Sequence, residues 1–588
     1  MEDWNWPSLP AMFFAQAQRH GDRPFLWAKH DGVYRPMSWG AVATQVTELA
    51  RGLRALGVKR GDRVGLVSEN RPEWAIADLA IMSAGGVTVP AYTTHTIEDH
   101  RYLLANSGAR AVIVSTATLA QRVLPAADQV DSVVQAIVME EPTASQASAI
   151  DILSIDQVLV RGREAGGDVA AWIGELRRDD LACLIYTSGT GGLPKGVMTS
   201  HGNILANCYG AFRLLEILGL DDEVFLNFLP LSHSYEHTAG LMFPISISAA
   251  IYFAEGAETL ATNLLEARPT IMTAVPRLYE TMHQRMLRGF ERDGGFRAKL
   301  FFRTLELGTK RLTDPRSLRF RERLLDRLLE RLVRDKVRAR FGGRLKAMVS
   351  GGAPLNPKIG TFFLALGIRL LQGYGQTESA PVVSANRPDR IKIHTVGPPL
   401  EGVEVKIASD GEILVRGELV MKGYWNDPEA TARALEGGWL HTGDVGEIDS
   451  DGYIIITDRK RDFIKNSGGD MVAPARVEGH LTLEPEIAQA MVYGDRRPYL
   501  VALLVPAKEL LDRASGSDDP ELTNRLGAAV ARVNQGLNNT ERVRRFIVAT
   551  EAFSTANGQM TPTLKIRRHV IRQAYGAALE ALYEGKAN

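Results

Sequence analysis

The sequence predicts an α/β fold, with a large, multi-part first region followed by a smaller α+β region. Three observations carry this. In the first third of the chain, short apolar runs alternate with helix-like patterns, which builds a parallel sheet covered by helices on both faces. Further on, a β-rich stretch is punctuated by the turn markers Gly411, Gly417, Gly423, Gly437, Gly438 and Gly452. Beyond residues 457–462 the pattern returns to mixed strands and helices, with enough chain left for a separate core. The expected units are therefore 1–460 and 461–588. At about 150 residues per domain, the 588 residues suggest about four structural parts in all.

The elements can be justified in order. Residues 62–68 read as a short buried strand after the Gly61-Asp62 turn. Pro72 then opens a helix, where its missing N–H costs nothing. Trp74 to Met82 continue that helix, with Ile76, Leu79, Ala80 and Met82 broadly on one side, and Gly85-Gly86 stops it. Residues 87–90 and 109–115 repeat the strand pattern. The longest apolar stretch, 239–254, is interrupted by Pro244, Ser246 and Ser248. A membrane span needs about 20 predominantly apolar residues, so this stretch reads as buried helix and strand. The first seven residues, MEDWNWP, are acidic and aromatic, unlike the basic start of a signal peptide.

Composition narrows the function classes. Apolar residues make up 45% and charged residues 23%, which excludes a disordered, collagenous or heptad-dominated chain. Lys and Arg number 69, as do Asp and Glu, so the chain lacks the basic excess of a nucleic-acid binder. Two cysteines, Cys183 and Cys208, cannot build a disulfide framework or a four-cysteine zinc site. They read as small buried residues of a cytoplasmic protein.

Residues 288–344 depart from this balance, with 18 Lys and Arg against 8 Asp and Glu. Leu324, Leu325, Leu328, Leu329 and Leu332 recur there at helical spacing, so the segment is an amphipathic, basic helix. Two readings follow. Either the leucines support the main core and the charges are solvated, or the segment makes a peripheral contact with an anionic membrane.

The strongest chemical motif is LIYTSGTGGLPKG at 184–196. An apolar run leads into the hydroxyls of Thr187, Ser188 and Thr190, then glycines beginning with Gly189, then Lys195. Glycines let backbone N–H groups approach phosphate oxygens, hydroxyls add donors, and lysine adds a point charge. The motif is not a Walker A loop, because Pro194 precedes Lys195 and Gly196 follows it. A second pattern, HSYEH at 233–237, matches the HxxEH of inverted zinc peptidases. Such a site needs both histidines on a helix and a third ligand downstream; Pro230 and Ser232 just upstream speak against that helix.

YTSGTGGLPKGV resembles the phosphate-binding signature of the adenylate-forming superfamily, which includes acyl-CoA synthetases, peptide-synthetase adenylation domains and firefly-type luciferases. Five further stretches match in order: SGGAP at 350–354, GYGQTE at 373–378, WLHTGD at 439–444, DRKRDFIKNSGG at 458–469 and TPTLK at 561–565. The resemblance implies a distorted β-barrel within the first region and a hinge at Arg461. It implies that Gly352, Ala353 and Pro354 pack on adenine, that Tyr374 stacks on its other face, and that Thr187, Ser188, Gly189, Thr190, Lys195 and Thr377 serve the phosphates. Asp444 would grip the ribose with Arg459 assisting, Glu378 would hold Mg²⁺, and Gly468 and Gly469 would lie in the pantetheine-tunnel motif. Catalysis would rest on Lys565, Glu378 and Thr187. His233 would line the acyl pocket, and His237 stands where the family often has an aromatic gate.

GYGQTE, LPLSHSYEH and the basic segment before SGGAP together look like long-chain acyl-CoA synthetases, which implies a fatty acid, ATP and CoA as substrates. A fatty-acyl-AMP ligase serving a carrier protein is one alternative; such ligases carry an insertion after the hinge that is not visible between Asp462 and Val492. A catalytically weak acyl- or nucleotide-binding protein is another. Its only sequence support is Gly191, which replaces a usual Thr or Ser; a second departure from the family pattern, Asp470, adds negative charge beside the expected thiol channel.

Overall fold

A computed structural model describes residues 4–142, 150–187, 193–256, 258–460, 463–468, 470–514, 516, 519–561 and 566–584. Two eight-stranded sheets form the first region. One runs from Gly423–Tyr424 through Lys195–Ser200, Leu181–Thr187, Val87–Ala91, Arg63–Val67, Ala111–Val114 and Gln135–Val138 to Asp151–Ser154. The other runs from Val382–Ala385 through Leu370–Gly375, Ala347–Ser350, Ile271–Ala274, Val224–Asn227, Ala250–Phe253 and Pro24–His30 to Val33–Ser38. Their central strands pair in parallel, as the strand–helix alternation predicts.

The helix Pro72–Ser83 keeps the proline at its start, and Gly85 follows at φ 81°. Eleven of its residues, Glu73 excepted, are buried, so it has no polar face. A helix that is apolar on all sides belongs inside a core. It shares one apolar cluster with Phe25, Leu26, Phe225 and Ile251 of one sheet and with Val64, Leu66, Ile113 and Ile185 of the other. Cys183 and Cys208 are buried free thiols of the same cluster.

The β-rich stretch punctuated by glycines forms a four-stranded antiparallel sheet of Glu404–Ile407, Glu412–Arg416, Leu440–Ile448 and Ile454–Arg459. Its Ile413, Val415, Leu440 and Ile454 pack against Tyr374, Val383 and Met421, tying it to the second large sheet. Farther along, Ile487–Tyr493, Leu500–Pro506 and Val543–Val548 form a three-stranded sheet, and Ile464–Lys465 pairs with Met471–Val472. Two apolar clusters in this part draw their buried residues from Ile464 to Leu582 only. It meets the first region through Asn356 Nδ2, which donates to the Gly479 carbonyl at 2.9 Å, and through the Arg288–Glu509 pair at 2.6 Å.

The leucines of the basic segment do not all support the core. Leu329 is fully buried and Leu325 packs on the cluster around Phe301 and Phe363, but Leu324, Leu328 and Leu332 are exposed. Two apolar stripes share one helix, and only one of them faces inward.

Candidate active site

Topology assembles the site. Val224–Asn227, Ile271–Ala274, Ala347–Ser350 and Leu370–Gly375 are consecutive parallel strands, so their following segments gather at one edge. These segments are LPLSHSYEH, the helix Pro276–Asp293, GGAP and QTE. Ligands bind along the carboxyl edge of such sheets. Buried polar atoms at this edge have no partner among the described residues: both side-chain polar atoms of Asn227, Oγ of Ser350 and Nε2 of Gln376. Buried polar groups are normally hydrogen-bonded, so their clustering marks a place built for something polar.

The GGAP loop depends on glycine. Gly352 sits at φ 81°, and a Cβ on Gly351 would lie 2.9 Å from the Tyr235 ring, whose hydroxyl donates to the Val349 carbonyl at 3.1 Å. Gly375 is as confined, since a Cβ there would fall 1.8 Å from the Pro381 carbonyl oxygen. At both positions a neighbouring group occupies the place a side chain would need.

Tyr374 and Asp444, seventy residues apart, meet directly. The Tyr374 hydroxyl donates to Asp444 Oδ2 at 2.7 Å, and Arg459 Nε donates to Oδ1 at 3.0 Å. Strand register explains the second contact, since Asp444 pairs with Arg459 across the antiparallel ladder. Burial, and then the Asp444 carboxylate, hold the Tyr374 hydroxyl protonated well above the usual phenol range.

Glu378, Tyr424 and Lys195 form a second group. Tyr424 donates its hydroxyl to Glu378 Oε1 at 2.9 Å, and the Lys195 ammonium lies 5.0 Å from the Tyr424 ring centroid and 3.4 Å from Asp427. Lys195 opens a strand antiparallel to Leu181–Thr187 and pairs with Thr187 itself. Ser188, Gly189, Thr190 and Gly191 of the glycine motif lie outside the described residues, as do Arg461, Gly469 and Lys565. Thr377 meets the LPLSHSYEH segment by sharing a 3.0 Å hydrogen bond with Ser234.

The HSYEH residues have separate engagements. His233 Nδ1 accepts from the Tyr235 N–H at 3.1 Å and caps the three-residue helix Ser234–Glu236. His237 opens a π-helical turn and bonds Asp78 Oδ2 through Nε2 at 2.9 Å, with both side chains buried. Glu236 accepts from Thr273 at 2.6 Å. Among the described residues no group of three or more His, Cys, Asp or Glu could hold a metal. Sequence reasoning missed Asp78; its one visible signal was an acid inside the otherwise apolar run WAIADLAIM.

Burial raises the Glu236 carboxyl to about 8, so the folded protein holds a proton there that the unfolded chain releases above about 4.5. Its contribution therefore falls as pH rises from about 5 to 8. Glu236→Gln keeps the shape and removes the titration. Melting curves of the variant should show a flatter dependence over that window; an unchanged slope would exclude Glu236 as its source.

In the smaller region, Asp470 shapes a turn. Its carboxylate accepts from Asn466 Nδ2 at 3.0 Å and its N–H donates to Asn466 Oδ1 at 2.8 Å, closing the Ile464–Val472 hairpin that carries Gly468. Lys460, the last described residue before Phe463, is anchored by Glu412 at 2.9 Å and Asp410 at 2.5 Å. Met560 and Ile566 form an isolated antiparallel bridge on either side of the TPTLK motif.

This combination of fold with lysine, aromatic and carboxylate groups at one sheet edge is that of a nucleotide-binding enzyme with an appended smaller region. The profile of the AMP-binding enzyme family matches residues 13–425, and that of the AMP-binding enzyme C-terminal domain matches 461–587. The chain belongs to the AMP-binding enzymes of the adenylate-forming superfamily. Among curated relatives, it is 33% identical to a long-chain-fatty-acid–CoA ligase of Mycobacterium tuberculosis, over 98% of this chain and 97% of that one. It is 30% identical to the peroxisomal long chain acyl-CoA synthetase 6 of Arabidopsis thaliana, over 94% of this chain and 82% of that one. The fold is shared with an AMP complex of the A-PCP didomain of a Segniliparus rugosus carboxylic acid reductase, with TM-score 0.79, 24% identity, and coverage of 98% of this chain and 82% of that chain.

Proposed function

We propose that the protein couples a long-chain fatty acid to CoA in two steps at this edge. A carboxylate oxygen of the fatty acid attacks the α-phosphorus of ATP, the bond to the β-phosphate breaks, and pyrophosphate leaves. The CoA sulfur then attacks the acyl carbon, the bond to AMP breaks, and the thiol proton passes to solvent. The observation that carries this reading is the convergence of the Tyr374–Asp444–Arg459 and Lys195–Tyr424–Glu378 groups on the edge that also bears LPLSHSYEH. The names of the curated relatives supply the substrate class.

The residues take the following roles. GGAP and the Tyr374 ring sandwich adenine, and Asp444, oriented by Arg459, accepts from the ribose hydroxyls in place of Tyr374. Thr187 and Lys195, paired across two strands, serve the triphosphate. Glu378 suits Mg²⁺, because Oε2 has no partner among the described residues while Oε1 is held by Tyr424, and this hard cation is typically held by one or two carboxylates plus substrate phosphates. Bound there, the ion would neutralise charge on the phosphates. The cytoplasm suits two free buried cysteines, and no helix among the described residues is long and apolar enough to cross a membrane.

Mass spectrometry of products from ATP, CoA and acids of graded chain length tests the reading. Acyl-CoA, AMP and pyrophosphate are expected. Acyl-adenylate that accumulates without a thioester would point to a carrier-protein ligase, and bound but unconsumed ATP to a weak binding protein.

We assign residues 461–588 to a unit that pivots at Arg461 between the two steps. Proline fixes φ near −65°, so Arg461→Pro should leave adenylation largely intact and cut thioester formation by an order of magnitude or more. Separate assays of the two half-reactions read this; loss of neither would place the pivot elsewhere.

A further inference from the structure

The basic segment sorts its side chains into an inner and an outer face. Phe320, Leu324, Leu328 and Leu332 are 82%, 61%, 54% and 41% exposed. They stand four residues apart along the helix Phe320–Leu329 and the turn Glu330–Arg334, which sets them in one stripe. An apolar row of this length on the outside of a helix is not core support.

The charges are sorted in the same way. Every acid of this helix that is well placed to pair is engaged on the inner side. Glu322 is paired with Lys310 at 2.9 Å, and Asp326 with Arg334 at 2.6 Å and Arg311 at 3.0 Å. Glu330 is paired with Arg338 at 2.7 Å and Arg334 at 3.2 Å. The outer cations are left over. Arg316, Arg319, Arg321, Arg327 and Arg331 are exposed and have no acidic partner among the described residues. Arg327 and Arg331 directly precede Leu328 and Leu332, so at 100° per residue they border the stripe.

We propose that this outer face is a docking surface for an anionic lipid bilayer. Phe320, Leu324, Leu328 and Leu332 enter the boundary between headgroups and acyl chains, and the five arginines meet lipid phosphates. An interfacial helix has this composition, with arginine stems lying along apolar surface while the guanidinium reaches upward. The protein carries no net charge, so only a local field of this kind can draw it to an anionic surface. A second copy fits less well: a two-fold contact would set this face against itself and bring unpaired arginines against unpaired arginines. The docking geometry stands alone, whereas its purpose rests on the fatty-acid reading above, since long acyl chains partition into bilayers.

The test is sedimentation of the intact protein, without substrates, with vesicles of equal parts phosphatidylcholine and phosphatidylglycerol. The parent should bind these, release in high salt and ignore pure phosphatidylcholine. Two variants separate the contributions: Phe320→Ser with Leu324→Ser and Leu328→Ser, and Arg319→Gln with Arg321→Gln, Arg327→Gln and Arg331→Gln. Each should lower the bound fraction about tenfold while keeping the parent melting curve and activity on detergent-dispersed acid. Parent binding that is absent or indifferent to salt overturns the proposal, as do variants that bind like the parent. A parent dimer dissolved by the serine variant would assign the face to a second copy. Salt-sensitive retention on polyglutamate without vesicle binding would assign it to an acidic protein. Intact vesicle binding with no acyl-CoA product would sink the fatty-acid reading and leave this one standing.

Discussion

Replacing Lys565 by alanine should abolish acyl-adenylate formation while supplied acyl-adenylate and CoA still yield thioester at near the parent rate. The asymmetry follows from charge. In the first step a carboxylate approaches a phosphate, two anions meet, and the charge growing on the transferring phosphorus needs a cation already in place. In the second step a thiol attacks an acyl carbon and the leaving group is AMP, so a cation at the phosphate matters less. A group of this kind is worth about three orders of magnitude in rate, about 4 kcal/mol of barrier. Lys565→Arg keeps the charge but replaces a compact ammonium with a planar fork, so partial rescue at most is expected. The two half-reactions must be measured separately. Equal loss of both would mean that the lysine supports the fold of the smaller unit or serves both steps.

What the sequence shows plainly is what is local along the chain. Pro72 and Gly85-Gly86 punctuate a helix and strand that form as Pro72–Ser83 and Val87–Ala91. The SGGAP and GYGQTE strings are legible because each runs from the end of a strand into the loop that follows it. Contacts across the chain were not legible. His237 meets Asp78 over 159 residues and Ser234 meets Thr377 over 143, and no periodicity links such positions. The basic helix shows a different limit. Its leucines fall on two stripes, and helical spacing alone cannot say which stripe turns inward. The preceding helix decides it, by placing Lys310 and Arg311 against Glu322 and Asp326. Asp470 is a third kind of case: its charge was visible, but its use in closing a turn with Asn466 depends on a hairpin that only the fold defines.

Glu378→Ala should lower Mg²⁺-dependent turnover by several hundred-fold, about 3.5 kcal/mol for a group that stabilises developing charge. The alanine removes two things at once, the oxygen proposed for the metal and the acceptor that holds the Tyr424 hydroxyl at 2.9 Å. Two further variants separate them. Tyr424→Phe keeps the carboxylate and loses only its hydrogen-bond donor, so its loss should be mild, about tenfold or less for one hydrogen bond. Glu378→Gln keeps an acceptor for Tyr424 and the side-chain shape but gives up the negative charge, so it should fall close to the alanine variant. Magnesium titrations sharpen the comparison, because a weakened site needs more metal to reach half-maximal rate while the fold stays intact. The peptide around Glu378 is itself well held, since its carbonyl accepts from the Met421 N–H at 2.9 Å, so neither change should disturb the melting temperature. An unchanged magnesium titration in both Glu378 variants would mean that another carboxylate carries the metal. A Tyr424→Phe loss as large as that of Glu378→Ala would instead mean that the hydrogen bond, which braces Lys195 through the Tyr424 ring, is what the reaction depends on.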